Sequence, residues 1–185
     1  MRGKLRSLTI TCSGHLLQQS QELLTAAALK GTLSHLMEEP VNYVNAPVIA
    51  REMGVVVNER REQEAENFLN LLTLEYETEK EKRSVSGTVF AQTNIRIVKI
   101  DGYYLEVKPE GYLLFYSNID RPGMLASVGS ILAKSNINIA GVALGRLEAG
   151  KSALTIMSVD SDIPDSVLKE IMRIDGVFDS KVVCV

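Results

Sequence analysis

Tryptophan is absent, aromatic residues make up only 5% of the chain, and there are just two cysteines and two histidines in 185 residues. Cys12 and Cys184 stand near opposite ends, each closing a β-like run. A thiol pair at metal-ligand or redox spacing is therefore absent, and two reduced, partly buried thiols are the expectation. His15 and His35 have no Cys, His or carboxylate partners at ligand spacing, which points to surface or helix-end positions. Ser13 and Ser34 lack the orienting acid that a nucleophilic triad needs. No run of about 18 apolar residues occurs, and the basic start Met1-Arg-Gly-Lys-Leu-Arg6 is not followed by an apolar block of signal-peptide length, so a soluble cytoplasmic chain without a membrane partner is expected. A dominant charge is missing too. Twenty basic and 23 acidic residues give a net charge of -3, divided as -1 over residues 1–108 (13 basic, 14 acidic) and -2 over 109–185 (7 basic, 9 acidic). Neither part suits nucleic acid or an anionic membrane.

What is present is strongly patterned. Lys4 to Cys12 ends in alternation, with Leu8, Ile10 and Cys12 on one face, and predicts a half-buried strand whose first step, Lys4 to Arg6, is exposed. Gln18 to Met37 predicts one helix, or a helix broken at Gly31, with apolar residues at 23, 24, 27 and 28. Val44 to Met53 predicts a short helix with Pro47 in its first turn and Gly54 at its end. A Val-rich strand over Gly54 to Asn58 and a charged connection over Glu59 to Asn67 follow. A β meander comes next: Phe68 to Thr78, a solvated turn within Glu75 to Arg83, a return over Arg83 to Ala91, and a hairpin of Ile95–Ile100 and Tyr103–Lys108 around Asp101-Gly102. Pro109-Glu-Gly111 reads as a boundary, giving domains 1–109 and 110–185. After it the order is strand, helix, strand, strand, helix, strand: a ferredoxin-like βαββαβ unit within an α+β chain. Met124, Met157 and Met172 fall at apolar positions and are expected in its core.

Leu113 to Ala140 is the most informative stretch. An apolar strand runs into Asn118-Ile-Asp-Arg-Pro-Gly123, then a helical repeat, then Asn136-Ile-Asn-Ile-Ala140. Pro122 is tolerated in a first helical turn, Gly123 allows close backbone approach, and Asp120 can cap free N–H groups. A polar, ligand-sized notch at a helix N-terminus follows, which suits a small-molecule sensor. A stand-alone enzyme is disfavoured, because no acid–base pair, nucleophile or cofactor loop emerges.

Two groups of motifs carry a family resemblance. Asn118-Ile-Asp-Arg-Pro-Gly-Met-Leu125 with Ile137-Asn-Ile-Ala140 resembles an ACT domain, an amino-acid-binding regulatory module. Leu24-Thr-Ala-Ala-Ala-Leu-Lys-Gly31, Val41-Asn-Tyr-Val-Asn-Ala-Pro-Val-Ile-Ala50 and Arg96-Ile-Val-Lys-Ile-Asp-Gly102 resemble the intervening, or allosteric substrate-binding, domain of long-form D-3-phosphoglycerate dehydrogenases. In order and extent they resemble that family's carboxy-terminal regulatory portion. The Gly-rich turn G-x-G-x-x-G of the catalytic half is missing, so NAD and the catalytic residues are expected in a parent enzyme and no cofactor in this chain.

The resemblance implies an effector site, with L-serine as end-product inhibitor or another amino acid in its place, at the interface of two ACT domains from two copies of the chain. Asn118, Asp120 and Asn138 are the matching positions. Asp120 would take the ligand's ammonium, the two amides its polar atoms, and backbone N–H groups near Gly123 its carboxylate. Asn118 replaces a ring-bearing residue found in serine-inhibited relatives. Arg96 and Lys108 match an anion site of the intervening domain, with Tyr103 where some relatives have another base. The long apolar run Ile137 to Leu147 is the expected pairing edge. Two alternatives stand beside this reading: a regulatory subunit of an iron–sulfur L-serine dehydratase, and an oligomerisation module without a ligand.

Overall fold

The computed structural model describes residues 2–185, which form two compact units, divided between Asn94 and Ile95. In the first, β1 (Leu5–Ser13) leads through α1 (His15–Gln18), α2 (Gln21–Leu33) and α3 (Ala46–Glu52) to β2 (Val56–Glu62), followed by β3 (Leu71–Thr78) and β4 (Lys82–Phe90). The strand order is β2-β1-β3-β4; β2 runs parallel to β1 and the other pairs are antiparallel. A parallel pair needs a long crossover, and α2 and α3 provide it. Leu8, Ile10 and Cys12 of β1 pack with Ala28, Leu29 and Leu33 of α2 and Ala46 and Ala50 of α3. Full burial of a leucine such as Leu29 or Leu33 contributes about 1.5–3 kcal/mol.

Several expectations need correction here. Gly31 does not break α2, which ends at Leu33. Its buried face carries Thr25, Ala28, Leu29 and Leu33, while Leu23 is exposed. Leu5, inside the step expected to be exposed, is buried. The charged stretch Glu59 to Glu62 is strand: its backbone pairs with Ile10 to Ser13 of β1 at a sheet edge, and its side chains are largely exposed, with Glu59 accepting from Thr25 and Glu62 from Ser13. Charge does not oppose a strand whose side chains stay hydrated. The Val41-to-Pro47 string is a turn scaffold. The Asn42 side-chain oxygen accepts from the N–H of Val44 and of Asn45, both at 2.9 Å, and the Asn45 oxygen accepts from the Asn42 N–H at 2.7 Å. Asn45 then opens α3, with Pro47 in the first turn as expected.

In the second unit β5 (Asn94–Ile100) and β6 (Tyr103–Val107) form a hairpin whose turn has φ of 49° at Asp101 and 86° at Gly102. Positive φ at both central residues is what a tight hairpin turn demands. The chain continues through β7 (Tyr112–Ile119), α4 (Met124–Lys134), β8 (Ile139–Arg146), β9 (Ser152–Val159), α5 (Asp165–Met172) and β10 (Val177–Cys184). The sheet order β10-β7-β9-β8, with antiparallel neighbours, is the ferredoxin-like arrangement, and the fold class is α+β as expected.

Alternation along the strands divides two cores. Leu114, Tyr116 and Met157 meet Met124, Val128 and Leu132 of α4 and Val167 and Ile171 of α5. On the opposite face Leu113, Leu154 and Ile156 meet Leu105 and Val107 of the hairpin. This burial ties the β5–β6 hairpin to the second compact unit, ahead of the Pro109-Glu-Gly111 punctuation. Gly145 of β8 allows the close approach: a Cβ there would stand 2.7 Å from the Tyr104 carbonyl oxygen and 3.0 Å from the Tyr103 Cβ. Met124 and Met157 are core, but Met172 is 42% exposed at the end of α5. Cys12 is buried, and burial pushes its thiol pKa up, with Glu59 adding to the rise and Arg61 opposing it. Cys184 is exposed, where partial burial was expected.

Candidate functional site

Asn118 and Asp120 lie where β7 runs out toward α4. Asn118 stands across from Ala153 of β9, and Ala153 across from Arg146 of β8, so one cross-strand row holds Asn118 and Arg146 on the same face. Asn118 is 3% exposed. Its side-chain N–H donates to the Ile119 carbonyl at 2.7 Å, and its side-chain oxygen has no partner among the described residues. The Asp120 Oδ2 accepts from the Gly150 N–H at 3.1 Å and from an Arg146 guanidinium N–H at 3.3 Å. The Gly150 N–H bond does most to hold the Asp120 carboxyl below the ordinary aspartate range; desolvation opposes it, and the hydrogen bond and charge of Arg146 add to the lowering.

Asp120 is therefore not the cap of α4, because its carboxylate is directed to the β8–β9 turn. Pro122 lies outside the helix, Gly123 occupies the N-cap with φ of 91°, and no side chain caps the helix start. A Cβ at Gly123 would meet nothing within 4 Å, so the backbone there is open to approach. The first N–H groups of α4 thus keep their capacity to bind an anion.

Asn138 is at the other end of the sheet. It immediately precedes β8, whose first residue Ile139 pairs with Val159 at the far end of β9, and its side-chain N–H donates to Asp160 Oδ2 at 2.7 Å. Eight residues separate it from Arg146, roughly 25 Å at about 3.3 Å per strand residue. Within one chain, then, Asn118, Asp120 and Gly123 share a region and Asn138 does not.

Arg96 and Lys108 are each engaged with an acid. The Arg96 Nε donates to Glu106 Oε1 at 3.2 Å and its Nη1 to the Ile95 carbonyl at 2.9 Å, while Lys108 Nζ lies 2.5 Å from Glu110 Oε2. Neither presents an unshared positive charge. In the first unit a pocket of about 570 Å³ between α2, α3 and β2 is lined by Glu22, Thr25, Leu29, Arg51, Val55 and Glu59 among others. His15 and His35 are exposed, and no cluster of three or more metal-ligating side chains occurs among the described residues. Among those residues no helix is long and apolar enough to cross a membrane.

Sequence reasoning missed Arg146 and Gly150. The available signal was a single basic residue closing an otherwise uncharged strand, followed by a Gly-containing turn.

The second unit is a ferredoxin-like domain of the α+β class, with a carboxylate, a buried amide and an uncapped helix start gathered at one sheet end. Comparison with known proteins agrees: residues 112–176 match the ACT domain model, and residues 1–101 match that of the D-3-phosphoglycerate dehydrogenase intervening domain. Similar curated proteins include the D-3-phosphoglycerate dehydrogenases of Synechocystis sp. (33% identical over 179 residues, 96% of this chain and 32% of the relative) and Archaeoglobus fulgidus (32% over 180 residues, 96% and 34%). That of Bacillus subtilis is 27% identical over 183 residues, 99% of this chain and 35% of the relative. The chain spans about a third of the length of the curated relatives it matches. It belongs to the D-3-phosphoglycerate dehydrogenase intervening-domain family and carries an ACT domain behind that intervening domain.

Proposed function

We propose that this chain is the carboxy-terminal regulatory region of a D-3-phosphoglycerate dehydrogenase of L-serine biosynthesis, binding L-serine between two ACT domains for feedback control. Dehydrogenation and NAD binding then belong to a cytoplasmic catalytic portion outside these 185 residues. The observation that carries the reading is the placement of Asp120 and Asn138 at opposite ends of the second unit, with the edge strand β8 spanning the distance between them. When two copies pair antiparallel along β8 about a two-fold axis, the start of one β8 falls beside the end of the other. Asn138 of the partner subunit then joins Asp120, Asn118 and the α4 N-terminus. An ammonium on Asp120, a carboxylate at the helix N–H groups and a hydroxyl on the amides together describe a small hydroxy amino acid.

Serine held this way favours one arrangement of subunits by its differential affinity alone, typically about 1–3 kcal/mol of coupling. Calorimetric titration of the whole chain with L-serine, alongside sedimentation, is the test. Saturable binding with one site for each Asp120–Asn138 junction is expected. No heat and no thermal stabilisation by millimolar serine or any other common amino acid would remove the effector reading, and self-association without a ligand would leave an oligomerisation module.

A further inference from the structure

We infer that Arg146 is a specificity residue of the proposed effector site, taking the α-carboxylate of an amino acid while the neighbouring Asp120 takes its α-ammonium; this rests on the effector reading above. Asp120 and Arg146 meet through one bond of 3.3 Å, and the Arg146 side chain is 58% exposed against 20% for Asp120. That pairing uses a single guanidinium N–H and leaves the rest of the donor fork available, the arrangement from which bidentate recognition of a carboxylate can form.

A free amino acid is itself a short ion pair. Placed antiparallel beside Asp120 and Arg146 it completes a ring of four alternating charges, ammonium on Asp120 and carboxylate on Arg146, with no charge left uncompensated. An amine or a carboxylic acid alone satisfies half of that ring. The Gly150 N–H bond holds Asp120 independently of Arg146, so the carboxylate keeps its orientation when the guanidinium turns to a ligand. The other charges of the β8–β9 turn do not compete, since Lys151 Nζ and Glu148 Oε2 pair with each other at 2.6 Å. The α4 N-terminus then favours the same carboxylate from its other side or a second polar atom of the ligand.

The experiment is calorimetric titration of the full chain, and of its Arg146→Gln, Arg146→Lys and Asp120→Asn variants, with L-serine and with L-serinamide, in which a neutral carboxamide replaces the carboxylate. The unaltered chain is expected to prefer serine over serinamide by about tenfold or more, the effect of one charge-assisted bond. Arg146→Gln is expected to lose that preference by weakening serine alone, Arg146→Lys to recover part of it, and Asp120→Asn to weaken both ligands. Serine affinity within twofold of the unaltered chain in Arg146→Gln, or an equal loss for both ligands, overturns the role of Arg146 while leaving the effector site in place. Failure of the unaltered chain to bind any common amino acid overturns both.

Discussion

Two edge strands of this chain have opposite characters. β2, at the edge of the first sheet, exposes Glu59, Arg60, Arg61 and Glu62 in succession. β8, at an edge of the second, carries no charge from Ile139 until Arg146 and leaves Val142 48% and Leu144 47% exposed. An edge offers unpaired backbone groups to any other strand, and charge is a common device against such pairing. β2 has that device and β8 lacks it, so β8 is the edge left fit for a second copy. Its one charge sits at the end where the candidate effector site lies. The same strand can therefore serve as the junction between copies and as the wall of a binding site.

The severest disruption is expected from Gly145→Val. A β-branched side chain there meets the Tyr104 carbonyl and the Tyr103 Cβ, neither of which can move without shifting the hairpin backbone. Overpacking of this kind costs about 2–3 kcal/mol, read as a lower urea midpoint for the second unit; an unmoved midpoint would contradict the packing of β6 on β8. Next in size is the edge itself. Leu144→Glu puts like charges near the proposed two-fold axis and is expected to weaken self-association about tenfold to a hundredfold, roughly 1.4–2.8 kcal/mol. Val56→Glu, on the similarly exposed start of β2, is expected to change nothing measurable in sedimentation. Equal effects from the two substitutions would erase the contrast between the edges.

Asp120→Asn is expected to weaken amino-acid binding about tenfold, with a smaller effect on stability whose pH dependence has a definite sign. The folded chain lowers the Asp120 pKa below 3.8 through the Gly150 N–H and Arg146. The ionised form is the one that folding favours, so its contribution is complete above about pH 5 and is lost as pH falls through the depressed value. The variant and the parent chain should thus differ in thermal midpoint at neutral pH and converge in acid. Serine affinity should stay level between about pH 5 and pH 8, because Asp120 remains ionised throughout. A binding curve that falls off near pH 6 would point to a different acceptor.

Most of the fold was legible because local pattern and burial agree. Alternation over Leu8, Ile10 and Cys12 located β1, Asp101-Gly102 located a hairpin turn, and the βαββαβ order followed from helical and strand periods after Gly111. The misreadings arose where a distant partner decides the outcome. Glu59 to Glu62 looks like a loop until β1 supplies its backbone bonds, and Leu5 looks exposed until the first core closes over it. The site was half legible. Asn118, Asp120 and Gly123 are neighbours in sequence, whereas Arg146 and Gly150 reach Asp120 only through the β7–β9–β8 register, which no local spacing reveals.

The contrast between the units extends to their buried hydroxyls, and the smallest predicted effect tests it. In the first unit Thr88 donates to the Asn70 carbonyl at 2.6 Å and Thr25 to Glu59 Oε1 at 2.6 Å. In the second, Ser180, Tyr116 and Thr155 stand opposite one another across β10, β7 and β9, and none of their hydroxyls makes a hydrogen bond of normal geometry among the described residues. Burial pushes the Tyr116 phenol pKa up, and nearby Thr155 only partly offsets it. Removing a buried polar group without a partner relieves a desolvation penalty, whereas removing one that is bonded strands its acceptor. Thr88→Val is therefore expected to destabilise by about 1 kcal/mol, and Tyr116→Phe to be neutral or stabilising by up to about 1 kcal/mol. Urea unfolding of the two variants measures both. A loss for Tyr116→Phe as large as that for Thr88→Val would mean that the phenol is fully bonded and that the two interiors are equally satisfied.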